Sequence, residues 1–494
     1  MLKTVQPEQI GIESAWVSRF LCSIKKRELP MHSLLLLRDD QLFLEAYWTP
    51  FSKDRIHRMY SVTKSFVSVG IGLALEDGLI DLDRPISAYF PEKLHSEVNP
   101  EVLELTVRQL LTMTTAGGPG NWFSAAAEDR TAFYFRPRTN CHPAGTQWKY
   151  DSAGTQVLCA LVEKVTGQKL LDYLRQRIFC HLDAFEHARM LQIANGDSWG
   201  DSALLCTSRD LAAFARFVMH CGNVDGKQLL SKDYLQNATS KLADNRAGAL
   251  GKLYGHGYGY QFWKTEQDGF AMIGMGGQMA VCLPKQELIL VCTADLQGID
   301  YARDYIIAQF LDLISDNLQD APLPPNPVQA ETLAAATTDL QLYALTDKTD
   351  SPLREKVDGV LYKCDPNPLG WNSFTLHFDD PQSGTLTYEK ESGAKQLPFY
   401  INRNRFCKFP EEGYSGQVGG QKTTDGSLYD AAVAAAWVEP NKLLIHTQII
   451  DDYLGQLFLE LSFREDRAVV TAVKHAENFM NDYSGEAVAI KAKP

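Results

Sequence analysis

A serine followed three residues later by a lysine is the pattern in this chain best suited to nucleophilic chemistry. It occurs three times, at Ser23/Lys26, Ser61/Lys64 and Ser392/Lys395. The chemistry requires the serine at a buried helix N-terminus and the lysine one turn later on the same face. Ser23 lies beside a basic cluster, and Ser392 precedes a glycine in a turn. Only Ser61 precedes a long apolar stretch, so Ser61 is the candidate nucleophile.

Lys64 is the candidate proton acceptor for Ser61. Burial beneath the apolar residues 66–73 disfavours the charged form of an amine. A neutral or proton-sharing lysine can then take the proton of a serine hydroxyl. The alternative is that Ser61 is a helix N-cap and Lys64 a surface residue, since serine is a preferred N-cap.

Two further groups carry polar chemistry. Tyr150 stands between Lys149 and a helix predicted over residues 153–166, where a tyrosine can relay protons and Ser152 can donate a hydrogen bond. The alternative is a core tyrosine. The second group is the glycine-rich run 274–278, which opens into a strand predicted over residues 279–283. Adjacent glycines let backbone amides approach a ligand, as an oxyanion hole requires, although such a run is more often a turn or bulge.

A competing nucleophile motif, G-x-S-x-G, occurs at residues 196–200 around Ser198. That motif requires a strand, a sharp turn and a helix that starts at once. The next helix start is predicted near Thr207, too far along the chain. We interpret residues 196–200 as a polar loop and keep an α/β-hydrolase acting through Ser198 as an alternative.

The first three groups together resemble the serine β-lactamase and penicillin-binding-protein superfamily. The resemblance lies in Ser61-x-x-Lys64, Tyr150-x-Ser152 and Met275-Gly276-Gly277, in that order. The nearest branch is that of the class C β-lactamases and related esterases and amide hydrolases. Residues 59–66 look especially like the 6-aminohexanoate-dimer hydrolase branch. The match covers roughly residues 1–320.

The resemblance implies an α+β catalytic domain of the class C β-lactamase type. Its antiparallel sheet is flanked by the first and last helices of the domain, and a helical subdomain is inserted. It implies Ser61 as nucleophile, Lys64 and Tyr150 as the base and acid pair, and the amides of Ser61 and Gln278 as the oxyanion hole. Further substrate-binding residues are expected at Ser152, Gly277, Met275, Trp122 and Tyr258.

Two positions depart from the superfamily pattern. The second motif usually ends in Asn and here ends in Ser152, and the third usually begins with Lys or His and here begins with Met275. We therefore expect a serine hydrolase that cleaves an ester or amide through an acyl-enzyme and is not an efficient β-lactamase. The alternative is a catalytically retired member that binds a ligand or a protein. The presence of Ser61, Lys64 and Tyr150 together favours the enzyme.

The elements that must position these residues follow from apolar spacing and turn signals. Capping boxes at Thr106/Gln109 and Thr207/Asp210 predict two helix starts. The pattern predicts an N-terminal helix within 7–29, a hairpin of 32–37 and 41–48, a helix-rich region over 61–242, strands at 258–264, 279–283 and 288–292, and a helix over 301–318.

A change in composition near residue 321 predicts a domain boundary. The run 321–327 contains four prolines and cannot continue a helix. Beyond it the sequence alternates in strand fashion between Gly, Asn and Asp turns. We predict a β-lactamase-like domain at 1–320, a proline-rich linker at 321–330 and a mainly antiparallel β domain at 331–494.

Composition excludes several classes of function. The chain of 494 residues has 48 Lys+Arg and 61 Asp+Glu and a net charge of −13, without a basic run that would favour nucleic acid or an anionic membrane. None of the ten cysteines forms a C-x-x-C pair, so neither a zinc site nor a redox pair is indicated. With no signal-peptide pattern, we expect a cytoplasmic protein with reduced thiols, no metal or cofactor, and a small-molecule substrate. The oligomeric state stays open.

Overall fold

The structure is a computed structural model that describes residues 2–120, 129–248, 255–423, 426–477 and 480–493. The chain divides into two compact units. Unit 1 comprises residues 1–341 together with the short segment 417–419, and unit 2 comprises 342–416 and 420–494. No helix in these ranges is both long enough and apolar enough to cross a membrane. All ten cysteines lie in described ranges, and none forms a disulfide.

Strands of unit 1 form one large sheet and two small ones. They are β1 (Lys3–Thr4), β2 (Met31–Arg38), β3 (Gln41–Tyr47), β4 (His57–Arg58), β5 (Arg189–Met190), β6 (Leu204–Cys206), β7 (Asn223–Val224), β8 (Lys227–Gln228), β9 (Trp263–Lys264), β10 (Phe270–Ile273), β11 (Met279–Leu283) and β12 (Leu288–Ala294). In the described part of unit 1, the large sheet has the order β1-β3-β2-β12-β11-β10-β9 and is antiparallel except for the β1–β3 pair.

The helices of unit 1 cover both faces of that sheet. They are α1 (Ser14–Lys26), α2 (Thr63–Glu76), α3 (Pro100–Leu103), α4 (Val107–Leu111), α5 (Arg130–Tyr134), α6 (Ser152–Thr166), α7 (Leu170–Arg177), α8 (Ser208–Met219), α9 (Lys232–Ala238), α10 (Ala302–Leu313) and α11 (Pro327–Thr337). Strands β2, β11 and β12 are buried along nearly their whole length, because helices pack on both of their faces.

Two apolar cores lie on opposite faces of the sheet. On one face, α1 packs against α10, and Phe20 and Phe310 share a core with Leu290 of β12. On the other face, α8 packs on β11 and β12, and Phe214 stacks on Phe66 of α2 with ring centroids 3.7 Å apart. Helix α2 therefore lies in the second core, which also contains α4, α6 and α7. This arrangement confirms the predicted α+β class.

Most local predictions agree with the structure. The predicted hairpin is β2 and β3, and the two predicted capping boxes are present at the starts of α4 and α8. The strand predicted over 258–264 is wrong except at β9. Gln261 has a left-handed φ of 65°, and the backbone from 258 to 262 turns and bridges back on itself instead of extending.

The proline-rich segment lies inside unit 1, so the predicted linker at 321–330 does not coincide with the division between the units. The amide of Leu323 donates to the carbonyl of Glu8 at 2.7 Å, and α11 packs against α1. Leu333 and Leu340 are buried in the core that contains α1 and α10. The prolines stiffen this segment, but the apolar side chains that follow tie it to unit 1, and the division falls after Gln341.

Unit 2 is a β barrel, consistent with the predicted mainly antiparallel β domain. It contains α12 (Arg354–Val357), β13 (Leu361–Cys364), β14 (Ser373–Asp380), β15 (Ser383–Lys390), β16 (Gly393–Ile401), β17 (Arg405–Glu412), β18 (Leu428–Glu439), β19 (Lys442–Ile450), β20 (Leu454–Arg464), β21 (Arg467–Ala476) and β22 (Gly485–Lys491). In the described part of unit 2, the strand order is β16-β15-β14-β13-β22-β21-β20-β19-β18-β17, and a parallel pairing of β16 with β18 closes the sheet. Closure removes an exposed sheet edge.

Truncating a buried residue of α11 tests whether this helix belongs to the core of unit 1. We expect Leu333→Ala to lower the free energy of unfolding by about 2–5 kcal/mol, because it leaves a cavity in a packed core. Val328→Ala is the matched control, since Val328 is on the same helix and 73% exposed, and we expect a change within about 0.5 kcal/mol. Urea unfolding of the full chain measures both. Equal effects of the two substitutions would mean that α11 is a free linker.

Candidate active site

Ser61 and Lys64 lie where β4 runs into α2. A short 3₁₀ turn, Tyr60–Val62, leads directly into the helix. Lys64 is only 1% exposed, because α2 is buried on all sides from Thr63 to Ala74. Its Nζ donates a hydrogen bond to Ser61 Oγ at 3.1 Å. The interpretation of Lys64 as a surface residue is therefore wrong, and the Ser61 side chain does not cap α2.

The residue before Ser61 has an unusual backbone conformation. Tyr60 has a φ of 47°, in the left-handed region that a bulky residue rarely adopts. Its ring is buried beneath the guanidinium of Arg58, whose Cζ lies 4.4 Å from the ring centroid. Surrounding contacts must hold such a strained residue in place, and strain of this kind concentrates at functional sites. Here it places Ser61 at the start of α2.

The glycine-rich run 274–278 packs against the backbone that precedes Ser61. A Cβ at Gly274 would lie 2.4 Å from the carbonyl oxygen of Met59, so only glycine permits this approach. Gly277 has a φ of 94°, which also requires glycine. The Gln278 side chain donates to the carbonyls of Met275 at 2.9 Å and Ala294 at 2.8 Å. The N–H of Gln278 makes no backbone hydrogen bond to any described residue.

The aromatic ring of Tyr150 lies close to the Lys64 amine. The Lys64 Nζ is 5.3 Å from the ring centroid of Tyr150, and that ring stacks on Trp263 with centroids 5.7 Å apart. The hydroxyl of Tyr150 makes no hydrogen bond within the described ranges. Asp151, the next residue, caps α6, because its Oδ1 accepts a hydrogen bond of 3.0 Å from the amide of Gly154. Its carboxylate also accepts hydrogen bonds from Thr115 and Tyr134, at 3.0 and 3.1 Å.

The other predicted substrate-binding residues have different surroundings. Ser152 is the first residue of α6 and makes no hydrogen bond to Lys64. Tyr258 is 1% exposed and packs edge-on against Trp263, and burial raises the pKa of its hydroxyl well above the usual range. Trp122 lies outside the described residues.

Met275 lines a cavity of about 490 Å³ together with Gly276, Gly277 and residues 296–304. A cation from another part of the chain, Arg58 or Lys149, could in principle replace the charge missing at position 275. Arg58 is fully buried, and its guanidinium donates to the carbonyl and hydroxyl of Ser202 at 3.0 and 2.9 Å. Lys149 is exposed and lines a separate cavity of about 1000 Å³ beside Trp148. Neither lines the cavity at Met275.

Sequence reasoning missed Asp201, which is the second partner of Lys64. The backbone carbonyl of Asp201 accepts a hydrogen bond from Lys64 Nζ at 2.6 Å, and its Oδ2 lies 3.9 Å from the same nitrogen. Asp201 follows the G-x-S-x-G run that drew attention to Ser198. Ser198 itself is 3% exposed, and its carbonyl accepts a hydrogen bond from Gln156 at 2.8 Å. The run 196–200 forms a loop that leads into Asp201, and it does not form the sharp strand-to-helix turn that the G-x-S-x-G motif requires. The α/β-hydrolase interpretation is therefore wrong.

The loop that carries Asp201 is held by cation–π packing. The Trp199 ring has the guanidinium carbons of Arg58 and Arg130 at 4.4 and 4.7 Å from its centroid. The segment 417–419 of unit 1 covers the same ring, where a Cβ at Gly419 would lie 1.9 Å from Trp199 Cε3. Backbone hydrogen bonds of 2.8 Å join Gln192 to both ends of this segment.

Gln261, also missed, connects the helices that carry the site. Its side-chain amide donates to the carbonyls of Leu110 and Leu111 in α4, at 3.0 and 2.9 Å. Its side-chain oxygen accepts from Thr155 of α6 at 2.7 Å, and its backbone carbonyl accepts from Ser65 of α2 at 2.8 Å. One buried polar residue therefore joins the helices that carry Lys64 and Ser152. The apolar spacing that predicted a strand over 258–264 gives no signal of the left-handed turn at Gln261.

Comparison with known proteins identifies a family and several relatives. A model of the β-lactamase family matches residues 20–310. A 6-aminohexanoate-dimer hydrolase from Paenarthrobacter ureafaciens is 26% identical over 279 residues, which are 52% of this chain and 71% of that protein. A Bacillus anthracis structure, provisionally described as a 6-aminohexanoate-dimer hydrolase, has a TM-score of 0.52 at 19% identity and covers 63% of this chain and 85% of its own. A penicillin-binding-protein homologue from Pyrococcus abyssi covers 96% of this chain and 99% of its own, with a TM-score of 0.48 and 14% identity.

A buried pair of histidines joins β2 to β4, the strand that precedes Ser61. His32 Nδ1 and His57 Nε2 are 2.9 Å apart, and His32 stacks on Phe51 with centroids 3.8 Å apart. Burial, with a contribution from Arg55, lowers the pKa of His57 to about 3. Burial and the neighbouring His57 lower the pKa of His32 well below its usual range. Both rings are therefore neutral at neutral pH.

These lowered pKa values predict acid sensitivity. Below about pH 6.5 the unfolded chain binds protons at these histidines that the folded chain does not. The free energy of unfolding should therefore fall as the pH drops from about 6.5 toward 3, by up to about 1.4 kcal/mol per pH unit for each histidine. Urea unfolding at several pH values should show a smaller slope for His57→Gln than for the wild type. The exposed His187→Gln is the control, and a slope unchanged by His57→Gln would contradict the assignment.

Proposed function

Because the chain belongs to the β-lactamase family, we propose that it is a serine hydrolase that cleaves an ester or amide through an acyl-enzyme on Ser61. The observation that carries this proposal is the hydrogen bond of 3.1 Å from the buried Lys64 Nζ to Ser61 Oγ. A nucleophilic serine needs an adjacent group that can take its proton, and Lys64 is in that position. The similarity to a relative named for hydrolysis of an amide dimer supports this substrate class.

In the proposed acylation step, Ser61 Oγ attacks the carbonyl carbon of the substrate. The hydroxyl proton passes to Lys64, and the carbonyl oxygen gains a negative charge. The amides of Ser61 and Gln278 stabilise this charge, as donors aimed at a developing oxyanion do. The bond from the carbon to the leaving oxygen or nitrogen then breaks. The leaving group takes up a proton, which Tyr150 supplies, and Ser61 carries the acyl group as an ester.

Deacylation repeats the chemistry with water in place of the leaving group. A water molecule gives a proton to the same pair of side chains and attacks the ester carbon. The bond to Ser61 Oγ breaks, Oγ recovers its proton, and the free acid leaves. The role of Tyr150 rests on its ring lying 5.3 Å from Lys64 Nζ. Its hydroxyl makes no hydrogen bond to Ser61 or Lys64 in the absence of substrate, and catalytic hydrogen bonds are often long in that state.

Met275 favours substrates without a carboxylate near the third motif. A carboxylate brought against its thioether would lose water and gain no hydrogen-bond donor. Arg58 and Lys149 do not line that cavity. Arg58 donates hydrogen bonds to Ser202, and Lys149 lines another cavity. We therefore propose that uncharged esters and amides are turned over in preference to penicillins and cephalosporins, which carry that carboxylate.

Substitution of the three proposed catalytic residues tests the chemistry. We expect Ser61→Ala to lower kcat by several orders of magnitude, because it removes covalent catalysis. Lys64→Ala and Tyr150→Phe should each lower kcat by about 10²–10⁴-fold. The effects of the two should not add in the double variant, because both groups serve one proton path. Hydrolysis of a short-chain p-nitrophenyl ester measures all four variants, and an active Ser61→Ala enzyme would contradict the proposal.

Substitution of Met275 tests the proposed specificity. We expect Met275→Lys to raise kcat/KM for a chromogenic cephalosporin by at least about tenfold, the value of one charge-assisted hydrogen bond. Met275→Leu is the matched control without charge, and it should leave cephalosporin turnover at the low level of the wild type. The same enzymes are compared on a neutral p-nitrophenyl ester. Efficient cephalosporin hydrolysis by the wild type would show that the missing cation does not limit the reaction.

A further inference from the structure

We propose that the carboxylate of Asp201 is a positioning residue that holds the Lys64 amine beside Ser61. The inference rests on the proposed serine hydrolase function and deepens it. Three oxygen atoms lie close to Lys64 Nζ. It is 3.1 Å from Ser61 Oγ, 2.6 Å from the carbonyl oxygen of Asp201 and 3.9 Å from Asp201 Oδ2. One residue therefore contacts the amine with both its backbone and its side chain.

The surroundings of the carboxylate point to a role other than stability. Asp201 is fully buried, and neither carboxylate oxygen accepts a hydrogen bond from any described residue. An ionised group removed from water without hydrogen bonds costs free energy, so folded proteins seldom contain one. Lys64 is its ion-pair partner within the described ranges. A carboxylate kept at this cost beside the candidate proton acceptor has its best physical explanation in the chemistry.

The backbone on both sides of Asp201 is held in place. Gly200 packs so closely on α6 that a Cβ there would lie 2.1 Å from the Cβ of Cys159. On the other side, Ser202 accepts two hydrogen bonds from the buried Arg58. The Trp199 ring contacts the guanidinium groups of Arg58 and Arg130. The loop is therefore held on both sides of Asp201.

Ser152, where the superfamily pattern places an asparagine, makes no hydrogen bond to Lys64. The polar contacts of the amine among the described residues are those to Ser61 and Asp201. The sequence alone does not show the contact with Asp201, because Lys64 and Asp201 are 137 residues apart.

The charge of Asp201 has a consequence for the pH dependence of acylation. An opposite charge at this distance favours the protonated form of an amine. Among the described residues, the ionisable groups around this position include Tyr150, whose ring is 5.3 Å from Lys64 Nζ, Cys159 on α6, and Arg58, which donates to the neighbouring Ser202. Burial raises the pKa of the Cys159 thiol, and nearby carboxylates, including Asp201, raise it further. This thiol is therefore neutral near pH 7, and Asp201, with Oδ2 3.9 Å from Lys64 Nζ, is the carboxylate that pairs with the amine among the described residues.

The test compares the acylation rate from pH 5 to 10 for the wild type, Asp201→Asn and Asp197→Asn. The substrate is a short-chain p-nitrophenyl ester, and the release of p-nitrophenol during the first turnover gives the acylation rate. Asp197→Asn is the matched control, because it removes the same charge from the same loop but not from the contact with Lys64. We expect Asp201→Asn to lower the maximal rate at least about tenfold. The half-maximal pH should move down, because a negative charge beside the amine is removed, with little change in KM. Asp197→Asn should follow the wild type.

Other outcomes separate this inference from the proposed function. A Ser61-dependent rate with the same pH profile in Asp201→Asn and the wild type would overturn the role of Asp201 alone. A reduced rate with an unshifted profile, or the same loss in Asp197→Asn, would also overturn it. Absence of any Ser61-dependent rate in the wild type would overturn the hydrolase proposal and this inference together. If Asp201→Asn does not fold, Asp201→Glu replaces it. That variant keeps the charge and should keep the half-maximal pH of the wild type, and a shifted value would overturn the inference.

Discussion

The candidate site depends on an amine that is buried and still within hydrogen-bond distance of a hydroxyl. Lys64 is 1% exposed, yet its Nζ contacts Ser61 Oγ at 3.1 Å. A lysine on a helix surrounded by apolar side chains is costly unless polar groups meet it. The carbonyl and the carboxylate of Asp201 offset this cost by contacting the Lys64 amine. The left-handed Tyr60 then starts the helix at the position that places both residues on the same turn.

Rigid contacts between distant segments keep this geometry in place. Gly274 allows the third motif to approach the backbone before Ser61, where any side chain would collide with the carbonyl of Met59. Gln261 joins α2, α4 and α6 through one buried side chain and its own backbone. A fully satisfied buried polar network of this kind stabilises one arrangement of the helices. The same network limits how far Tyr150, which precedes α6, can move relative to Lys64.

Local sequence patterns predicted the parts of the fold that depend on neighbours in the chain. The hairpin, the two capping boxes and the helix after Ser61 follow from turn chemistry and apolar spacing. Features that depend on distant contacts were missed. Asp201 lies in a loop whose serine attracted attention for another chemistry, and only folding brings it to Lys64. The strand predicted at 258–264 failed because Gln261 adopts a left-handed turn. The linker predicted at 321–330 carries prolines, yet Leu333 beyond it is buried in the core of unit 1.

Mass spectrometry after reaction with a fluorophosphonate identifies the nucleophilic serine. The probe forms a covalent phosphonyl ester with an activated serine, and peptide mapping identifies which serine carries it. The buried lysine beside Ser61 predicts a single adduct on the peptide that contains Ser61, and its loss in Lys64→Ala. An adduct on Ser198, or an unmodified protein under conditions that label a known serine hydrolase, would contradict the account.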